Sequence, residues 1–422
     1  MIGCYEKASG YFQQIAKQDK AFKNSKTIKT GVDSMSREIP EHEFKARIVQ
    51  VQKELQSRDM DALIVHSNEA DFANVRYLTD YWPAFESAGV VVPADGEAIL
   101  LIGPESETYA RDRSKVRKIM KLLEYRESAE PEYPGIHIDS FKDVFDEALG
   151  GRRIRRLGIG GYAIMPLVVY DALKAALPET EIVRADDILR NMRSIKSENE
   201  VALLKESSKI AEKALETVLE KIEPGMTELQ VVGIAEGKMY ENGAEYEGHP
   251  QYVLSGRSST HAISRPTHKK LKEGELVQLD IGARLGGYSS SIGRPVCLGK
   301  MPSEMRKLVE AGLELHWETK NLIKEGIVAK NVVQSFMKSA ERIGVKENVL
   351  YGPCHGIGLI EVEPPWMELT SDYVLKKNMT FQVDTFLYSK EYGLRVEDGI
   401  AVTTRGVDRF CTRWEEVIEI SR

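Results

Sequence analysis

The first half of the chain alternates short apolar runs with stretches of helical hydrophobic spacing. Apolar positions between Glu43 and Arg58 recur three and four residues apart, as in an amphipathic helix, and the apolar run Asp61–Val65 has the length of a buried strand. The alternation continues through four more predicted strands and one predicted helix: Gly89–Pro93, Ala98–Ile102, Leu157–Ile159 and Glu181–Val183, and Pro166–Ala176. Strands that alternate with helices in this way are typical of an α/β domain, which we place at residues 36–190.

Two helices with similar start signals open the second half. Ser197 precedes Glu200 by three residues, the capping-box spacing in which each side chain satisfies a free amide of the first helical turn. Apolar residues then continue at helical spacing as far as Pro224-Gly225, which predicts one long helix. Thr227 and Gln230 repeat the capping-box spacing and predict the start of a second helix.

The remainder of the chain repeats this order of helices and strands. The predicted strands are 275–285, 288–298, 379–389, 393–403 and 414–420, and the predicted helices are about 303–325 and 330–343. Helices followed by strands, twice over, suggest an internal duplication. We therefore expect a two-domain α/β protein whose second domain, residues 191–422, is of α+β type, with helices covering a curved, largely antiparallel sheet.

Composition narrows the class of protein. The 422 residues suit two domains, and 58 Lys+Arg against 65 Asp+Glu leave a net charge of −7. Neither nucleic acid nor an anionic membrane is an expected partner, because both require clustered basic residues. The four cysteines are scattered without metal-site spacing, which is typical of a reducing compartment. Residues 1–35 form a polar, lysine-dotted extension without the order of a signal peptide, so we expect a cytoplasmic protein.

Four potential acid–base or metal-binding groups lie in separate segments of the second domain. Asp280, Asp384 and Glu397 stand within otherwise apolar predicted strands, and His355 lies in a glycine-rich turn. A carboxylate in an apolar strand costs several kcal/mol unless it is paired, protonated or bound to a cation. Because side chains alternate along a strand, these groups can share one face of the sheet. We expect them to form a single site.

Five motifs of the second half carry a family resemblance. They are Leu279–Ala283, Gly287–Arg294, His355–Leu359, Met379–Asp384 and Gly393–Asp398. As a set they resemble the pita-bread superfamily of methionine aminopeptidases, Xaa-Pro dipeptidases, aminopeptidase P and creatinase. The junction Arg193–Glu200 resembles its creatinase/prolidase branch. The resemblance covers roughly residues 41–420 and implies a creatinase/prolidase-type N-terminal domain followed by a pita-bread catalytic domain.

The resemblance also implies a metal site, from which this chain departs. The peptidases of the superfamily hold two divalent ions with two Asp, one His and two Glu. Asp280, His355 and Glu397 match three of these ligands, and the shorter Asp384 stands at a fourth. Ser291 stands where the bridging aspartate is expected, so we expect no two-metal centre. The expected cofactor is none, or one divalent cation (Mn, Zn or Co) on His355, Asp384, Glu397 and Asp280.

The histidines of this chain also differ from those of the two-metal peptidases. Val362 stands where the peptidases carry the histidine that contacts the scissile carbonyl. In creatinase a loop histidine is the general acid–base, and His261 lies just before the Asp280 strand as that histidine does; His249 and His268 are alternatives. We predict catalytic roles for His261, His355 and Glu397. We predict substrate-binding roles for Asp280, Glu361, Glu363, Asp384 and Arg395.

Carboxylates without a metal pair favour a small cationic or zwitterionic substrate. The leading hypothesis is a creatinase-like hydrolase that cleaves a C–N bond of amide or amidine type, metal-independent or with a single ion. Three alternatives stay open: a divergent single-metal Xaa-Pro dipeptidase or aminopeptidase, a lyase acting on an onium carboxylate, and a pseudo-enzyme that binds a partner. Residues 74–78 and 81–85 resemble the family loop that reaches a neighbouring active site, which implies a homodimer.

Overall fold

The computed structural model describes residues 37–421, so the predicted extension 1–35 lies outside the described residues. The first sheet has six strands: β1 (Ala62–Ser67), β2 (Ala88–Pro93), β3 (Ile99–Ile102), β4 (Lys118–Lys121), β5 (Arg156–Gly160) and β6 (Glu181–Arg184). The helices around it are α1 (Glu41–Ser57), α2 (Ala73–Thr79), α3 (Glu107–Arg113), α4 (Phe141–Leu149), α5 (Leu167–Ala176) and α6 (Asp186–Ser194). The strands predicted for this half all lie within one or two residues of observed strands.

The first sheet is mixed and buried on both faces. Its strand order is β4-β3-β2-β1-β5-β6, in which β2 pairs antiparallel with β1 and β3 and the other neighbours are parallel. Alternate residues of β1 enter different cores: Leu63 and Val65 pack in one, Ala62 and Ile64 in the other. This division follows from the two-residue period of a strand. The N-terminal half is therefore an α/β layer structure, as predicted.

Both capping boxes of the second half are present. Ser197 and Glu200 cap α7 (Glu198–Lys221), and Thr227 and Gln230 cap α8 (Glu228–Glu241), with side-chain and backbone hydrogen bonds in both directions. The two later helices are α9 (Ser303–Leu322) and α10 (Ala329–Ile343). The predicted domain boundary at 190/191 falls inside α6 rather than in a loop.

The second half contains two sheets. A small one joins β7 (Tyr246–Glu247), β10 (Ala283–Leu285) and β11 (Tyr288–Ser289). The large one joins β8 (Tyr252–Ser255), β9 (Leu276–Ile281), β12 (Ile292–Leu298), β13 (Cys354–Gly356), β14 (Glu363–Met367), β15 (Thr380–Tyr388), β16 (Gly393–Val402), β17 (Val407–Arg409) and β18 (Ile418–Ile420). Its main path runs β14-β13-β15-β16-β12-β9-β8, and every pairing in it is antiparallel except β12 with β18.

Helices cover one face of this large curved sheet. Leu315 of α9 and Phe336 of α10 pack with Leu387 and Leu394 of the sheet. Apolar residues on one side of each strand therefore face the helices, and the residues between them face the other side. Within the described residues, no helix combines the length and the apolar character needed to cross a membrane. The predicted two-domain fold class, with a largely antiparallel second sheet, is confirmed.

Candidate active site

Register places three carboxylates in one row across four neighbouring strands. Asp280 of β9 lies opposite Gly293 of β12, Gly293 lies opposite Glu397 of β16, and Glu397 lies opposite Asp384 of β15. Directly opposed residues in an antiparallel ladder have their Cβ atoms close together on the same face. The three side chains are buried, with residue exposures of 2% to 4%. The predicted strand carboxylates thus share one site.

Arg395 occupies the middle of this row. It precedes Glu397 by two residues on β16 and therefore faces the same side. Its Nη1 donates to Oδ2 of Asp280 at 3.1 Å, and its Nε lies 3.2 Å from Oδ1 of Asp384 and 3.7 Å from Oε2 of Glu397. A single buried guanidinium thus compensates part of the negative charge of three carboxylates.

Tyr351 closes the Asp384 end of the row. Its hydroxyl donates to Oδ2 of Asp384 at 2.6 Å and accepts from Nη2 of Arg395 at 2.9 Å. Its ring stacks on Phe386, with centroids 5.8 Å apart. Burial and the charge of Asp384 raise the pKa of Tyr351 well above its usual value, so the phenol keeps its proton. Sequence reasoning missed Tyr351, whose one signal is its position four residues before His355.

His355 lies on β13, the strand next to β15, and brings Glu361 into the site. Nε2 of His355 lies 3.8 Å from Oε1 of Glu361 and 3.7 Å from Oε1 of Glu397. Nδ1 of His355 lies 3.1 Å from the carbonyl oxygen of Gly356 and donates to it, so Nε2 is the nitrogen free to accept. One donor atom from each of His355, Glu361 and Glu397 lies within 4.8 Å of the others. These three residues are called the His355 triad below.

Several carboxylate oxygens of the site lack hydrogen-bond partners. Within residues 37–421, Oε1 of Glu361, Oδ1 of Asp384 and Oε1 of Glu397 are buried and accept no hydrogen bond. Burial raises the pKa of Glu397 well above its usual value, and the charges of Asp280, Asp384 and Glu361 raise it further. Buried acceptors of this kind are normally satisfied by water, a ligand or a cation.

Ser291 and His249 surround the remaining carboxylate, Asp280. The Ser291 hydroxyl donates to Oδ1 of Asp280, and Nε2 of His249 lies 3.1 Å from Oγ of Ser291 and 3.7 Å from Oδ1 of Asp280. Burial acts to raise the pKa of Asp280. The charges of His249 and Arg395 and the hydrogen bonds outweigh burial and hold that pKa below its usual value.

The side chains of two predicted residues have other partners, although the carbonyl oxygen of Ala262, next to His261, accepts from Nη2 of Arg395 at 2.9 Å. Glu363 is buried in ion pairs with Arg193 and with Lys196, whose Nζ lies 2.8 Å from Oε1, and those charges hold its pKa below the usual value against the effect of burial. Its carboxylate therefore connects β14 to α6 and the segment after it, and its substrate-binding role stays a prediction. His261 is exposed, and its Nδ1 lies 3.2 Å from Oγ of Ser264.

The residues that could hold one ion also differ from the predicted set. The prediction named His355, Asp384, Glu397 and Asp280, whereas the structure groups Glu361 with His355 and Glu397. Asp280 and Asp384 face the Arg395 guanidinium instead. Of the three histidines left open, His249 contacts the row, whereas His261 and His268 are exposed.

Comparisons with known proteins agree with this architecture. Residues 47–195 match the Creatinase/Prolidase N-terminal domain, and residues 202–404 match Metallopeptidase family M24. The chain is 29% identical over 367 residues to an Xaa-Pro dipeptidase of Pyrococcus horikoshii, covering 86% of this chain and 96% of that protein. It is 25% identical to an Xaa-Pro dipeptidase of Pyrococcus furiosus, covering 89% and 100%.

Solved structures give the same result. The crystal structure of the prolidase from Pyrococcus horikoshii OT3 superposes with a TM-score of 0.76 at 25% identity, covering 88% of this chain and 100% of that one. An X-Pro aminopeptidase from Thermotoga maritima shares the fold, with a TM-score of 0.77 at 20% identity and coverage of 88% and 99%. The chain belongs to the creatinase/prolidase superfamily of enzymes that hydrolyse C–N bonds, with a Creatinase/Prolidase N-terminal domain followed by a metallopeptidase family M24 domain.

Proposed function

We propose that this protein is a divergent dipeptidase-type hydrolase that cleaves the C–N bond of a small zwitterionic substrate with one divalent cation. The observation that carries the proposal is the His355 triad, in which two buried carboxylate oxygens without hydrogen-bond partners face an imidazole nitrogen. The dipeptidase and prolidase relatives support this alternative over the creatinase-like hypothesis. We do not assign the relatives' Xaa-Pro substrate to this chain directly, because Val362 and Ser291 change the residues of the site.

The His355 triad fits one ion of the transition-metal type. Two ligands on a tetrahedral zinc ion, each about 2.1 Å from it, lie about 3.4 Å apart. The observed separations of 3.7 and 3.8 Å from Nε2 of His355 need only a small contraction. One imidazole and two carboxylates also make a donor set that Zn, Mn or Co accepts. A positive ion here would relieve the repulsion that raises the pKa of Glu397.

The residues of the site have distinct parts in such a hydrolysis. A divalent cation on the triad supplies Lewis-acid polarisation of the scissile carbonyl and a more acidic water. Without that cation, burial and the neighbouring carboxylates raise the pKa of Glu397 well above its usual value. Arg395 and Tyr351 hold the Asp384 carboxylate in one orientation. The burial of these groups excludes bulk water and strengthens their electrostatic effect.

Charge selects the substrate. Asp280, Asp384, Glu361 and Glu397 face Arg395 and His249. One divalent ion together with these basic side chains balances the four carboxylates, so the site suits a substrate without net charge, whose protonated amine pairs with a carboxylate. A small peptide with a free amino terminus has that group, as does a zwitterionic amino-acid derivative.

The metal-independent creatinase-like reaction is the second candidate. It is favoured by the position of Arg395, which already compensates Asp280 and Asp384 without an ion. The lyase hypothesis predicts elimination products, so identifying the reaction products distinguishes it from hydrolysis. The homodimer with residues 74–78 and 81–85 near the neighbouring active site, and the cytoplasmic location, stay predictions. Phe85 is 86% exposed, whereas Tyr81 and residues 75–78 of α2 are buried.

Substitution of Glu361 tests the proposal. We expect Glu361→Gln to lower kcat/KM for a panel of Xaa-Pro and other small dipeptides by at least about 100-fold, because it removes a charged ligand of the ion. Glu368→Gln is the matched control, since Glu368 lies exposed in the same segment. Circular dichroism and Mn²⁺ affinity of both variants separate a lost ligand from lost folding.

Chelation distinguishes the two candidate reactions. We expect activity to disappear after exhaustive chelation and to return with about one equivalent of Mn²⁺, Zn²⁺ or Co²⁺ per chain. Activity that survives chelation, and that Glu361→Gln leaves unchanged, contradicts the single-ion proposal and supports the metal-independent hydrolase.

A further inference from the structure

His249 lies at the Asp280 end of the carboxylate row. Its Nε2 is 3.1 Å from Oγ of Ser291 and 3.7 Å from Oδ1 of Asp280, and its Nδ1 is 2.8 Å from the carbonyl oxygen of Pro250. The ring meets Tyr252 edge-on, with centroids 5.6 Å apart. Contacts at both ring nitrogens and with the Tyr252 ring therefore hold the imidazole in place. The His249 side chain is 10% exposed.

The backbone leaves a space for this imidazole at Gly282, where the predicted strand 275–285 is interrupted between β9 and β10. A Cβ atom at residue 282 would lie 2.1 Å from the carbonyl oxygen of Ser290 and 2.9 Å from Nε2 of His249. Neither distance is compatible with a side chain. Glycine at 282 and histidine at 249 therefore depend on each other, and together they bring a basic group against Asp280.

Hydrogen-bond donors and acceptors fix the charge of His249. A carbonyl oxygen can only accept, so Nδ1, which faces Pro250, carries a proton. Ser291 has one hydroxyl proton, and it donates this proton to Asp280. The contact between Nε2 of His249 and Oγ of Ser291 is therefore a hydrogen bond only when Nε2 donates as well. With both nitrogens protonated, His249 is a cation beside Asp280.

Arg395 supplies a second cation on the other oxygen of Asp280. Nη1 of Arg395 donates to Oδ2, whereas Ser291 donates to Oδ1. Both carboxylate oxygens thus have a donor, and each donor leads to a basic side chain within 4 Å of Asp280. A divalent ion bound to Asp280 would share oxygens that already accept from these donors and would approach two positive groups, which is electrostatically unfavourable.

We propose that His249, acting through Ser291, and Arg395 replace the second divalent ion of the two-metal peptidases, so that Asp280 is bound by protein cations and not by metal. Serine at 291 is part of this arrangement, because its neutral hydroxyl connects His249 to Asp280, where an aspartate would add a charge. The inference concerns the second ion alone. It rests on the proposed function only in taking the His355 triad as the first ion position.

The number of bound Mn²⁺ ions per chain tests this inference and does not depend on an activity assay. Purified wild type, S291D, H249A/S291D and the control H268A are titrated with Mn²⁺ by calorimetry, and bound metal is counted after equilibrium dialysis. We expect no more than one Mn²⁺ per chain in wild type, S291D and H268A. In S291D the added carboxylate pairs with His249. We expect a second equivalent only in H249A/S291D, which restores a bridging carboxylate and removes the competing cation.

Two results would overturn the inference. One is a wild type that binds two Mn²⁺ of comparable affinity, and the other is a folded H249A/S291D that gains no second ion. If the double variant does not fold, D280N decides: we expect its affinity for the first Mn²⁺ to stay within about tenfold of wild type, since Asp280 is not a ligand. A larger loss contradicts the inference. A protein that passes these tests yet hydrolyses no substrate would refute the proposed function alone.

Discussion

At the scale of single side chains, Tyr351 and Arg395 hold Asp384 between them. The phenol donates to one carboxylate oxygen at 2.6 Å, and Nε of Arg395 lies 3.2 Å from the other. A hydrogen bond to a charged acceptor contributes about 1.5–3 kcal/mol, more than one to a neutral acceptor. The two tyrosines Tyr351 and Tyr373 allow this difference to be measured in one protein, because Tyr373 donates to the neutral carbonyl oxygen of Trp366 at 2.8 Å.

We predict that Tyr351→Phe lowers the free energy of unfolding by about 2 kcal/mol and that Tyr373→Phe lowers it by about 1 kcal/mol. Both substitutions keep the aromatic ring and remove one hydroxyl, so the packing is matched. Urea unfolding followed by fluorescence gives both values. Because Tyr351 also accepts from Arg395, its loss reports on both charged partners, and equal losses in the two variants would show that these charges add nothing.

The sequence predicted which residues of the row carry charge, but not how they pair. Asp280, Asp384 and Glu397 were recognisable because each interrupts an apolar strand. The grouping of Glu361 with His355 was not recognisable, because it depends on the path of the loop after Gly358. In the same way, the contact of His249 with Ser291, 42 residues later, is a product of tertiary folding.

At the scale of elements, strand register decides the site. Gly293 is the one member of the row without a side chain, and it lies between Asp280 and Glu397. A Cβ atom there would lie 2.8 Å from Cβ of Glu397 and 3.0 Å from Cγ of Arg395. These are the stems of the two side chains and not their flexible ends, so a methyl group would displace both.

Gly293→Ala is therefore expected to lower the free energy of unfolding by about 1–3 kcal/mol and to weaken the binding of Mn²⁺ at least tenfold. Gly233→Ala is the matched control, since Gly233 lies within α8 with nothing within 4 Å of the added methyl group. In a helix interior alanine is favoured over glycine by roughly 0.5–1 kcal/mol, so the control should gain stability. Unchanged Mn²⁺ affinity in Gly293→Ala would show that the site tolerates displacement of the Glu397 backbone.

Element positions followed from the sequence more closely than element boundaries did. The predicted strand 275–285 is two strands separated at Gly282, and 288–298 is divided between β11 and β12 at Ser290 and Ser291. The apolar pattern continues through Gly282, so periodicity alone could not reveal that interruption, whereas three serines, 289 to 291, mark the second one. The interruptions are the places where His249 and Ser291 enter the site.

At the scale of the whole molecule, two buried histidines outside the site make stability depend on pH. His66 lies in β1 and His316 in α9, and burial lowers the pKa of each to about 4. An unfolded chain binds these protons near pH 6.5, so between about pH 6.5 and 4 the unfolded state holds more protons than the native state. Stability therefore falls as pH falls through this window, by about 3 kcal/mol for each histidine.

We predict that His66→Leu removes about one proton from the slope of unfolding free energy against pH between 4 and 6.5. Both ring nitrogens of His66 lack partners within the described residues, so the substitution loses no hydrogen bond. His137→Leu, at an exposed position, is the control for the substitution itself. Urea titrations at several pH values give the slopes, and an unchanged slope in His66→Leu would contradict the low pKa of this group.

The ion pairs of Glu363 have a consequence for the coupling of the two domains. Arg193 and Lys196 belong to the segment that links the domains, and they hold Glu363, which follows the triad member Glu361 by two residues. These ion pairs restrain the backbone beside Glu361. Substitution of Arg193 or Lys196 is therefore expected to weaken ion binding at the triad, although neither residue contacts an ion ligand.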